Sequence, residues 1–450
     1  MSELTAQSLT TLCRLIQTRA VSPVPVLEAH LERIEQVNPG LNAIVTLAPD
    51  AMEKARAAER AINNGEVWGP LHGIPITVKD TIETAGLLST SGSLTRANFV
   101  PERDATAVAR LKAAGAIILG KTNAAEMAMD YTADNPVFGR TNHPQDPSLT
   151  PGGSSGGEAA AIAAFMSPGG IGSDLAGSVR VPAHFCGIAG LRPTVGRIPG
   201  EGQCPPARGP YGLGSVIGPM ARSVEDLQLL FRVLAGERPV QEPTNVRGLH
   251  VAWYTDDSIA TVSSETATAV RTAADALSRA GLKTEEARPP GVERGNELWL
   301  RMFSRTTVVV LRTAYEGREH EGGDFVCWRL ATADDTPAPS MDDYIQTWLE
   351  RDQLREELLR WMKDKPLLIA PVGSSAAVPH GTLKVQSGDQ KIGMFRAFSY
   401  AQAFTVFDLP VVVVNAGKTK EGLPIGVQIA GRPNEEETVL AAARIVEELI

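Results

Sequence analysis

Apolar residues in the first sixty positions recur with the period of a helix. In SPVPVLEAHLERIEQV, Ser22 precedes Pro23, and Val26, Leu27, Leu31, Ile34 and Val37 follow near helical spacing. Ser22 is thus the predicted cap of a helix. APDAMEKARAAERAINNG predicts a second helix, closed by Gly65, so residues 1–64 read as a helical N-terminal segment. The period then changes. GIPITVKD, residues 73–80, is a short apolar run ending in charge, which suits a buried strand. ATAVARLKAAGAIILGKTN predicts a helix, a turn at Gly115 and a strand over 116–119. Strand-like runs return at LHVAWY, PLLIAPV, PVVVVNAG and LPIGVQIAGRP, before a closing helix from about Glu435 to Ile450. This alternation predicts an α/β fold, an α/β/α layered domain with a large mixed sheet flanked by helices.

Two stretches break the rhythm. Residues 199–215, PGEGQCPPARGPYGLGS, are dense in glycine and proline and predict a long surface loop that leaves Cys204 exposed. Residues 331–341 predict a loop before a helix around 344–362. Neither repeats nor a convincing linker divide the chain, so one domain over 1–450 is expected.

Composition narrows the class. With 43% hydrophobic and 21% charged residues, the chain has ample material for a core. A net charge of −9 without a basic stripe argues against nucleic acid as a main partner. Cys13, Cys186, Cys204 and Cys327 form no CxxC or Cys/His cluster, so they read as reduced thiols and no metal site is expected. The N-terminus lacks a basic region followed by an apolar block, and no apolar run approaches the roughly 18–20 residues that cross a bilayer. A soluble cytoplasmic protein is the expectation.

Three segments carry candidate chemistry. In PGGSSGGEAAA, residues 151–161, Ser155 and Glu158 have the spacing of a capping box, which leaves Ser154 and four glycines unexplained. In GSDLAGSVRVPAHFCG, residues 172–187, Ser178 follows Ala176 and Gly177. Small neighbours leave its hydroxyl and the nearby N–H groups open to a developing oxyanion, though a packed small-residue turn has the same composition. It is not the GxSxG elbow, because Val179 and Arg180 follow. His184 is read as structural. Lys79 ends the apolar run of 73–80: it is a general base if buried, or a charge reaching solvent if not. GAIILGKT, residues 115–122, fits the phosphate-loop pattern literally. Its middle residues Ala116, Ile117, Ile118 and Leu119 read as strand, so an NTP-binding enzyme is the least favoured reading.

Taken together, these pieces resemble the amidase signature family of serine hydrolases. GGSSGGEAAAIAAFMSPGGIGSDLAGSVRVPAHFCGIAGLRPT, residues 152–194, is similar to the family's core stretch, and residues 73–80 to its lysine segment. The likeness is strong over 65–230, a signature core, and over 405–450, C-terminal core strands and a helix. It is weak over 235–400, a divergent substrate-side region. The resemblance implies a Ser178–Ser154–Lys79 triad: Ser178 as nucleophile, Ser154 as a relay on a cis peptide bond, Lys79 as base. It further implies an oxyanion hole from the amides of Leu175, Ala176, Gly177 and Ser178, with Ser155 helping to hold the lysine. Asp174 and Arg180 would brace the site. No metal or organic cofactor is implied.

Where the family usually has Gly-Gly-Ser, this chain has Ala176, Gly177 and Ser178. Alanine keeps its N–H, so the hole survives if Ala176 has φ below zero. The implied reaction is hydrolysis of a C–N bond beside a carbonyl, in an amide or carbamate, with a neutral, fairly apolar small molecule preferred. A glutaminase component of a tRNA-dependent amidotransferase is the alternative. Arg208 and Tyr211 are expected at the substrate entrance. Trp299, Met302, Phe303 and Trp328 are pocket liners or core. A monomer or homodimer is expected.

Overall fold

The computed structural model describes residues 2–236, 245–335 and 338–450, so positions 336 and 337 of the loop expected over 331–341 lie outside the described residues. Its strands, in chain order, are β1 (Ile44–Leu47), β2 (Pro75–Lys79), β3 (Ile117–Thr122), β4 (Gly169–Asp174), β5 (Ala189–Arg192) and β6 (Val216–Ala221). Then come β7 (His250–Trp253), β8 (Lys283–Glu286), β9 (Leu367–Pro371), β10 (Lys384–Ser387), β11 (Gln390–Gly393), β12 (Val411–Lys418) and β13 (Pro424–Gly431). β10 and β11 make a separate hairpin. The other eleven form one mixed sheet in the order β1-β3-β2-β4-β6-β5-β12-β13-β9-β7-β8. The sheet is parallel across β3, β2 and β4 and again across β9, β7 and β8. Between them it runs antiparallel.

Strand alternation builds two cores, one on each face. Along β12, Val412 and Val414 enter one cluster and Val411 and Val413 the other, because successive strand side chains point to opposite sides. Helices Pro23–Leu41, Thr106–Ala113, Val224–Ala235, Ser264–Arg279 and Glu436–Leu449 cover the first face. Helices Arg180–Cys186, Gly295–Ala314, Met341–Trp361 and Ser399–Val406 contribute to the second. The expected entry signal holds: Val24 N donates to Ser22 Oγ at 3.2 Å, ahead of a helix that starts on Pro23. Among the described residues, no helix is long and apolar enough to cross a membrane.

Two expectations need correction and a third is met. Residues 1–64 are not wholly helical, because β1 pairs antiparallel with β3 and adds an edge strand. Four residues carry too little period to be seen locally, and their partner lies some seventy positions away. GAIILGKT is strand, as read from its middle residues, and not a phosphate loop. Residues Ile117–Thr122 are a fully buried strand, and Lys121 Nζ donates to the Ile82 carbonyl and lies within 3.2 Å of the Thr84 and Ser89 hydroxyls. Cys204 is buried rather than exposed, since the 199–215 loop folds inward at Gln203 and Cys204 and bridges to Ile82.

Candidate active site

β2 ends on Lys79 and its parallel neighbour β4 ends on Asp174, so both residues stand at the carboxyl edge of the sheet. Lys79 is completely buried, with Nζ 2.6 Å from Ser154 Oγ and 3.0 Å from Ser173 Oγ. Burial disfavours the ammonium and brings Lys79 down to about 7, against the upward pull of Asp174 and Glu158. A lysine in this setting loses its proton near neutrality.

The Gly153–Ser154 peptide is cis. Gly153 must be glycine: a Cβ there would sit 2.0 Å from the Thr132 carbonyl oxygen. Ser155 does not play the part expected of it. Its hydroxyl pairs with the backbone of Ser173, 3.3 Å from the carbonyl oxygen and 3.4 Å from the nitrogen, and Ser173 is the second hydroxyl beside the lysine. The capping box is also absent, as Ser155 makes no side-chain cap. The helix Gly156–Ala163 is buried through its first two turns, which turns Glu158 inward. Its carboxylate accepts from Thr77 Oγ1 at 2.5 Å and Thr122 Oγ1 at 2.7 Å.

The segment 175–178 is pinned through its carbonyls. Trp299 Nε1 donates to Leu175 O at 2.8 Å, Tyr131 Oη to Ala176 O at 2.6 Å, Val181 N to Gly177 O at 2.6 Å and Ser155 N to Ser178 O at 3.1 Å. A planar peptide points its N–H opposite to its C=O, so these four bonds orient the amides of Ala176, Gly177, Ser178 and Val179 as well. Gly177 N donates to Asp174 Oδ1 at 2.9 Å, which removes it from the expected oxyanion set. The amides of Leu175, Ala176 and Ser178 have no acceptor among the described residues. Ala176 is absent from the positive-φ residues, which meets the condition set by its methyl group. Gly177, at φ 118°, occupies backbone that favours glycine.

Asp174 anchors this turn. It accepts from Val179 N at 3.1 Å and forms a two-pronged ion pair with Arg180, at 3.0 and 2.9 Å. Burial alone would raise its carboxyl, but the charges and hydrogen bonds of Arg180, with Arg192 beyond, hold it down to about 2. Arg180 reaches on to Ala401 O, Thr405 Oγ1 and Gln428 Oε1, on elements far along the chain.

The family model described as Amidase matches residues 25–440. The chain belongs to the amidase signature family. It is 32% identical to an indoleacetamide hydrolase of Bradyrhizobium diazoefficiens, over 96% of this chain and 84% of that one. It is 33% identical to a glutamyl-tRNA(Gln) amidotransferase subunit of Thermus thermophilus, over 95% of this chain and 94% of its relative. A bacterial aryl acylamidase of the same family superposes with a TM-score of 0.89 at 26% identity, covering 100% and 97% of the two chains. As a member of the family, the protein is a hydrolase acting on amide C–N bonds.

The remaining candidates of this amidase divide by environment. His184 is held by backbone on both nitrogens, with Gly426 N donating to Nδ1 at 2.7 Å and Nε2 lying 3.0 Å from Ser375 O. Tyr211 is buried, 2.6 Å from Thr307 Oγ1, while Arg208 is exposed. Met302 and Phe303 are core, Trp299 tethers Leu175, and Trp328 is 58% exposed. Sequence reasoning missed Ser173, Tyr131 and the inward Glu158. Only strand register could have exposed Ser173, since β2 pairs with β4 at Val78 and Ile171. Among the described residues, no group of three or more His, Cys, Asp or Glu side chains could hold a metal.

Proposed function

We propose that this amidase hydrolyses small, neutral, fairly apolar amides or carbamates through an acyl-enzyme, with Ser178 as nucleophile, Ser154 as relay and Lys79 as base. The reading is carried by one observation: a buried lysine, able to be neutral, 2.6 Å from a serine on the loop that packs against Ser178. Neutral Lys79 takes the proton of Ser154 as Ser154 takes that of Ser178, whose Oγ attacks the carbonyl carbon. The amides of Leu175, Ala176 and Ser178 stabilise the oxyanion. As the tetrahedral intermediate collapses, the proton returns through Ser154 to the leaving nitrogen, and water then hydrolyses the acyl-enzyme. The apolar preference is supported by the rings beside the oxyanion loop: Trp299 lies 5.4 Å from Phe303 and 4.7 Å from Phe395, and Tyr131 5.8 Å from Phe395.

A panel of chromogenic anilides, esters and carbamates tests this reading. Turnover of apolar anilides or carbamates by the protein purified alone supports it. The 33% identity to the Thermus thermophilus amidotransferase component favours a second reading, a glutaminase that works beside partner chains. Hydrolysis of glutamine, with silence toward the whole panel, would select that one.

A further inference from the structure

Among the buried acids that the mechanism does not use, Glu158 is the one hydrogen-bonded to the lysine's own strand and to the strand beside it. Glu158 stands on the lysine's side of the sheet, a placement that follows from register. Thr77 precedes Lys79 by two residues on β2 and shares its face, and Thr122 is the β3 residue registered against Lys79. Both threonine hydroxyls donate to the Glu158 carboxylate, and Thr77 also lies 3.0 Å from Ser167 Oγ. The carboxylate packs so closely over β4 that a Cβ on Gly170 would fall 2.0 Å from Glu158 Oε1. Glu158 is fully buried, and its carboxylate makes no direct ion pair among the described residues.

We propose that Glu158 is a positioning residue for the proposed relay, a buried carboxylate that sets the pH at which Lys79 becomes a base. The inference rests on the Ser–Ser–Lys reading and deepens it. Burial pushes Glu158 up to about 7, against its two threonine donors and the charges of Lys79 and Lys121. Burial moves the acid up and the lysine down while each favours the charged form of the other, so their titrations are coupled. The other charges around them are committed elsewhere. Asp174 is paired with Arg180, Asp80 accepts from Thr90, and Lys121 is bound by Ile82, Thr84 and Ser89. While ionised, Glu158 stabilises the ammonium of Lys79 and so holds back the neutral amine.

The test is the pH profile of kcat/KM on an uncharged activated ester and an anilide. Glu158→Gln keeps the shape and removes the charge, so the acidic limb should move to lower pH by about one unit. Melting temperature is measured alongside, because a residue that only supports packing would lower it and leave the limb in place. If Glu158→Gln does not fold, Thr122→Val serves instead: losing one donor to the carboxylate should move the limb the same way, by less. A limb that coincides with wild type in the folded variant overturns the proposal. Lys79→Ala separates the two levels. If it keeps the wild-type limb, the lysine-base reading fails. If it loses the limb while Glu158→Gln leaves the limb unmoved, only the role of Glu158 fails.

Discussion

Lys79 is useful as a base only where its ammonium is poorly solvated, and its place at the closed end of β2 supplies that condition. The active form is the neutral one, so kcat/KM for amides should rise with pH through about 7 and level off above it. Lys79→Ala should lower amide hydrolysis by about 10²–10⁴-fold and remove that rise. The loss should be smaller for esters with good leaving groups, since a poor nitrogen leaving group depends on the returned proton. Lys79→Arg should not restore activity, because guanidinium stays protonated. Ser178→Ala should abolish acyl-enzyme formation. Fluorophosphonate labelling checks this, and labelling of the variant at the wild-type rate would assign the nucleophile elsewhere.

At the scale of the element, the turn 175–178 is shaped by bonds to its carbonyl side, and the free amides of Ala176 and Ser178 follow from them. Two tethers are side chains: Trp299 on Leu175 O and Tyr131 on Ala176 O. Trp299→Phe keeps the ring packing and deletes the donor. The Leu175 carbonyl then loses its partner and the next amide loses its fixed direction. Removing a direct oxyanion donor costs about 10²–10³ in kcat. Loss of this indirect support should cost about tenfold, with KM nearly unchanged. Steady-state kinetics on one anilide reads the split; a change in KM with kcat intact would make Trp299 a substrate contact instead.

At the scale of the molecule, Asp174 and Arg180 join parts of the chain that lie far apart. Arg180 donates to Ala401 O across 221 positions and to Gln428 across 248, so one guanidinium ties the end of β4 to a helix and to β13. Removing one partner strands the other charge in the interior. Arg180→Ala should therefore destabilise the fold by about 3–5 kcal/mol, measured by urea unfolding. A variant of wild-type stability but low activity would place Arg180 in the chemistry. Tyr211 belongs to this scale too. Its burial against Thr307 and Phe303 makes Tyr211→Phe a change of stability before one of substrate choice.

Periodicity was enough to place the helices after Ser22, before Gly65, around 344–362 and at 435–450, and the apolar runs of β2, β3, β7, β9, β12 and β13. It did not place the helices Ser264–Arg279 and Gly295–Ala314 or the strands β4, β5 and β6. The segments around Ser154 and Ser178 were found by motif. The glycine-rich run was visible, but the reason for Gly153 was not, since the backbone it approaches belongs to Thr132. The amino-acid sequence by itself determined which elements form and which residues carry reactive groups. Only the tertiary structure decided that Ser173 rather than Ser155 flanks the lysine, that Gly177 spends its amide on Asp174, and that Glu158 faces inward. The Gly177 bond to Asp174 is made within one turn, three residues apart, whereas the other two outcomes depend on strand register or on a contact between distant segments. Local pattern carries no record of either.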